Sequence, residues 1–76
     1  MNAKEILKIT SSIGAMLIQY GAEIYRVEDS INRIAEAYGF MENGKNVEVF
    51  AIHTSLIITV NEGDNLTLTQ TKRITN

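Results

Sequence analysis

Tyr25, Arg26 and Glu28 put an aromatic ring, a cation and a carboxylate within four residues of one another. On a functional reading they form a polar cluster that contacts a substrate or a partner. On a structural reading Arg26 ties its helix to strand carbonyls or to Glu23, and Glu28 is simply solvated. Consecutive helical positions point about 100° apart, so the three side chains cannot all face one pocket unaided. Charges on helix surfaces are usually solvated or paired, which favours the structural reading.

His53 is the single histidine, followed directly by Thr54 and Ser55. A histidine can serve as a general base or a proton sensor. A base also needs a nucleophile or an oriented water within hydrogen-bond reach. Neighbours along a strand point to opposite faces, so Thr54 and Ser55 do not automatically supply one. His53 therefore reads as a plain strand-end residue. With no Cys and no second His, only scattered carboxylates remain for a metal, and no metal site is expected. No catalytic set and no cofactor site are legible, so the chain does not read as an enzyme.

These residues must be positioned by some scaffold, and hydrophobic periodicity predicts it. Ile6, Ile9, Ile13, Met16 or Leu17, and Tyr20 recur at helical spacing, predicting a first helix over 3–20. Asn2 with Glu5 three residues on reads as a capping box. Ser11, Gly14 and Ala15 form a small-residue strip suited to close packing on a second helix. Gly21 interrupts the pattern. A second helix over 22–38 carries Ile24, Val27, Ile31, Ile34 and Tyr38 on one stripe, with Asp29 and Arg33 as an i,i+4 pair. Gly39 reads as its left-handed ending, with Phe40 folding back onto Ala35 or Ile34. Beyond the turn signal Glu42-Asn43-Gly44-Lys45 the period changes to 2. Residues 47–53, 56–60 and 66–72 read as strands, with a hairpin loop over 61–65. Short connections imply an antiparallel meander. The predicted fold class is thus α+β: a two-helix antiparallel hairpin packed on a three-stranded antiparallel β-meander, one domain over 1–76.

Bulk composition excludes several classes. The 76 residues are 45% hydrophobic and 21% charged, which is globular rather than disordered. A net charge of -2, without a cluster of cations in the sequence, argues against nucleic acid as a partner. The most apolar helical stretch, 13–18, is closed by Gln19, whereas spanning a bilayer takes about 20 apolar residues. Lys4, Glu5 and Lys8 break any signal-peptide core. The chain reads as soluble and intracellular, small enough to need support from elsewhere.

The most distinctive text is Gly21-Ala22-Glu23-Ile24-Tyr25-Arg26-Val27-Glu28-Asp29-Ser30-Ile31. It resembles the signature of the threonine/serine exporter family. The likeness continues through Arg33-Ile34-Ala35, Ala37-Tyr38-Gly39, Val47-Glu48-Val49-Phe50, Thr54-Ser55-Leu56-Ile57 and the closing Lys72-Arg73-Ile74-Thr75-Asn76. The sequence departs from the family pattern in the 40–46 loop and at His53. The resemblance implies a cytoplasmic N-terminal region of a larger membrane transporter that exports threonine and serine on the proton gradient; some relatives move dicarboxylates. It implies a gating, assembly or regulatory role, with the membrane-spanning part of the same transporter or a companion subunit as partner, and a homo-oligomer as a further possibility. The signature residues Gly21, Ala22, Glu23, Tyr25, Arg26, Val27 and Glu28 then serve structure or docking. The alternative is a free-standing soluble interaction or oligomerisation module of the same fold.

Overall fold

The computed structural model describes residues 1–64 and 66–75; Asn65 of the expected hairpin loop and Asn76 of the closing basic stretch lie outside them. The elements are α1 (Ala3–Gln19), α2 (Ile24–Ala37), β1 (Lys45–Ile52), β2 (Ser55–Glu62) and β3 (Leu66–Arg73). The strands pair antiparallel in the order β1-β2-β3. This is the expected α+β fold.

The sequence starts and stops each helix with recognisable chemistry. Asn2 Oδ1 accepts from the Glu5 N–H at 2.8 Å, and the Asn2 N–H donates to Glu5 Oε1 at 2.9 Å, closing the capping box. At the other end Gly21 takes φ +87°. Its N–H donates to the Ile18 carbonyl and that of Ala22 to the Leu17 carbonyl, each at 2.9 Å, which is a Schellman ending. α2 ends the same way: Gly39 donates to Glu36 and Phe40 to Ala35, at 3.1 and 2.8 Å. That fold-back buries the Phe40 ring in the core. The strands are reached through Asn43 and Gly44, both at positive φ, with the Lys45 N–H on the Glu42 carbonyl at 3.0 Å.

The helices cover one face of the sheet, α1 over β2 and β3, α2 over β1 and against α1. Alternation decides which strand residues meet them. Val47, Ala51, Leu56, Ile58 and Val60 point inward and join Ile6, Val27, Ile31, Ala35 and Phe40 in one core. Burying each large aliphatic side chain contributes about 1.5–3 kcal/mol. On the other face Glu48 pairs with Thr59, Phe50 with Ile57 and Ile52 with Ser55, and no element covers that face among the described residues.

Two expectations need correction. The buried side of α1 is Ala3, Ile6, Leu7, Thr10, Ser11, Gly14 and Ile18. Ile9 and Ile13 are only half-buried, while Met16 and Tyr20 are 52% and 83% exposed. The reason is close approach at Gly14, where an added Cβ would lie 2.8 Å from Leu56 Cδ2 and 2.9 Å from Ile31 Cδ1. That contact turns the small residues inward. It is tolerated because Thr10 Oγ1 donates to the Ile6 carbonyl at 2.7 Å and Ser11 Oγ to the Lys8 carbonyl at 3.2 Å. Second, His53 is not a strand residue. Ile52 pairs with Ser55, so His53 and Thr54 form the two-residue turn between β1 and β2.

Candidate functional site

The signature segment spans the corner between the helices. Gly21 and Ala22 belong to the Schellman ending of α1, and Ala22 packs against the core from its edge. Glu23 is the N-cap of α2 in an extended conformation, but its side chain makes no capping bond. Its carbonyl receives the N–H groups of Arg26 and Val27 at 3.0 and 3.2 Å. Val27 is fully buried, and Glu28 is half-buried. Half of the signature therefore builds the corner.

Tyr25 and Arg26 do not take part in that building. Both side chains are exposed, and Arg26 Cζ lies 5.6 Å from the centroid of the Tyr25 ring. This is cation–π reach, worth about 0.5–1 kcal/mol at an exposed site. The expectation that Arg26 is tied to Glu23 or to strand carbonyls is not met. Among the described residues it has no side-chain hydrogen bond and no ion pair; the ion pair on this helix is Arg33 Nε to Asp29 Oδ2, at 2.8 Å. The reason is orientation. One position before a fully buried residue, the side chain is turned about 100° away from the core. Tyr25 and Arg26 thus form a preformed aromatic–cation pair, and Glu23 and Glu28 are not joined to it.

His53 is exposed in its turn and makes no side-chain hydrogen bond among the described residues. A shallow groove of about 450 Å³ lies next to that turn, lined by Thr54, Ser55, Thr71, Arg73, Ile74 and Thr75. It holds hydroxyls and one cation, without a base beside a nucleophile. No group of His, Cys, Asp and Glu able to hold a metal occurs among the described residues. Among the described residues no helix is long and apolar enough to cross a membrane.

Sequence reasoning missed two features because both depend on which elements lie side by side. One is a polar ladder across the open sheet face. Asn61 Nδ2 donates to Asn46 Oδ1 at 2.6 Å and to Glu48 Oε2 at 3.1 Å, while Thr67 Oγ1 donates to Asn61 Oδ1 at 2.9 Å. The other is a groove of about 530 Å³ between α1 and β3 that collects Lys4, Lys8 and Lys72.

A family described as "Putative threonine/serine exporter" (ThrE) matches residues 8–76, which include the whole signature corner. The chain belongs to the threonine/serine exporter family. No similar curated protein and no similar solved structure was found. In this member of the exporter family the corner buries Val27 and leaves Tyr25 and Arg26 exposed.

Proposed function

We propose that this chain is the cytoplasmic N-terminal domain of a proton-driven threonine/serine exporter, with a gating, assembly or regulatory role. The observation that carries the reading is the family match over 8–76 on described residues that include no membrane-crossing helix. Transport needs a path through the bilayer, and transporters place their substrate sites near its midplane. This domain then works on a membrane-spanning part, either of the same polypeptide or of a companion subunit. Its outward Tyr25–Arg26 pair is the docking element, since an exposed guanidinium over an aromatic ring suits a carboxylate or a helix end on a partner. The exporter family points to transport rather than to chemistry on a substrate.

The test compares export with assembly. Arg26→Ala in the exporter should lower threonine export and co-purification of the membrane-spanning part together, while the domain stays folded. Loss of export with assembly intact would instead put Arg26 in the transport mechanism. The reading as a free-standing interaction module draws on the open sheet face. It gains if removing the domain leaves threonine and serine export unchanged.

A further inference from the structure

We propose that the groove between α1 and the free edge of β3 binds an extended acidic segment of a partner protein, which adds to β3 as a fourth strand. Among the described residues β3 pairs only with β2, so its outer N–H and C=O groups form an unpaired edge. Such edges capture peptides through main-chain hydrogen bonds, and flanking side chains set the specificity.

The flank here has a definite chemistry. On an acidic chain, three of the four lysines line this one groove, and none of the nine carboxylates does. Leu7 and Leu68 form an apolar floor beneath them. β3 has no fully buried residue: Leu68 is half-buried and Leu66 is 39% exposed. The inner layer is therefore incomplete along this edge, and a fourth strand would complete it.

Spacing selects an extended segment over a compact ion. Gln19 Nε2, at the end of α1, donates to the Thr75 carbonyl just past β3, at 3.2 Å, so the two elements finish side by side. Lys4 and Lys8 stand one helical turn apart, about 6 Å along the axis. Alternate residues of a strand advance by about 6.6 Å. A strand lying on β3 thus presents successive groove-facing side chains at nearly the step of the two lysines above it. Acidic residues at two such positions meet Lys4 and Lys8. The same alternation places an apolar residue over the leucine floor, and Lys72 adds a third cation from β3 itself.

The probe is an acetylated, amidated peptide, Thr-Glu-Thr-Glu-Thr-Val-Thr, titrated into the isotope-labelled 76-residue chain and followed by amide NMR. Saturable shifts confined to β3 and the first half of α1 are expected. Lys4→Glu with Lys8→Glu should weaken binding about tenfold and let the same peptide with Lys in place of Glu bind instead. Wild-type binding should also weaken as salt rises. If that double variant does not fold, the two peptides on the wild-type chain still decide. Equal binding of both peptides, or no β3 shifts at millimolar peptide, overturns the proposal. So do β3 shifts that appear on concentrating the chain alone, which would assign the edge to a second copy. Vesicles of anionic lipid that shift Lys4 and Lys8 and are not displaced by peptide would also overturn it, in favour of a membrane surface.

Discussion

Alanine at Gly14 and alanine at Gly21 act through different physics. At Gly21 there is open space around a backbone at φ +87°, so the cost is conformational, about 1–2 kcal/mol. At Gly14 the backbone is helical, and alanine gains about 1 kcal/mol of helix preference. Against that, its Cβ meets Leu56 and Ile31, and overpacking costs about 1–3 kcal/mol. Both partners are fully buried, so neither can swing away freely. Urea unfolding should show Gly14→Ala losing on the order of 1 kcal/mol and Gly14→Val distinctly more. A stabilised Gly14→Ala would mean the core relaxes there at no cost. Arg26 belongs to the opposite class. Being exposed and free of ion pairs among the described residues, Arg26→Ala should change domain stability by no more than about 0.5 kcal/mol. Its effect is expected in export and docking. A large drop in melting temperature would return it to a structural role.

At the scale of elements, each helix depends on its ends. α1 is held at its start by two reciprocal bonds between Asn2 and Glu5, both exposed. Asn2→Ala should cost about 1 kcal/mol, read as a shifted denaturant midpoint, whereas Asn2→Asp should be nearly neutral. Amide exchange should quicken first in 3–7 if that cap is what restrains the turn. These caps were legible in the sequence because they are local: Asn2 with Glu5, Gly21, and Gly39 with Phe40. The phase of α1 was not legible. The helix carries two apolar strips, and contacts with α2 and β2 from distant parts of the chain chose the one with the small residues. The same holds for His53. A strand end cannot be told from a two-residue turn until Ile52 is seen opposite Ser55.

The molecule as a whole is one helical layer on one sheet, with extents of 36 × 19 × 17 Å. A single thin core leaves apolar surface behind. Phe50 and Ile52, 58% and 45% exposed, stand on the uncovered sheet face beside Ile57. Patches of this kind mark contact surfaces. Sedimentation over a wide concentration range is expected to show self-association, and Phe50→Thr with Ile52→Thr should weaken it at little cost to folding. A wild-type chain that stays monomeric throughout would limit that face to docking on other proteins. Titration calorimetry with threonine or serine should show no submillimolar binding to the domain. The two grooves are shallow, and small amino acids offer few atoms for contact.

The sequence by itself determined the element order, the helix ends, the fold class and the family, because these rest on periodicity, capping chemistry and a contiguous signature. It also determined that Val27 packs inward, since a helical stripe fixes that residue directly. Only the tertiary structure decided that Arg26 pairs with Tyr25 and with no carboxylate among the described residues, that α1 leaves Ile9 and Ile13 half-buried and Met16 and Tyr20 exposed, and that three lysines share one groove. Each of these is set by where a second element lies. Lys8 and Lys72 are 64 positions apart in the chain, and only the packing of α1 along β3 brings them to the same cleft.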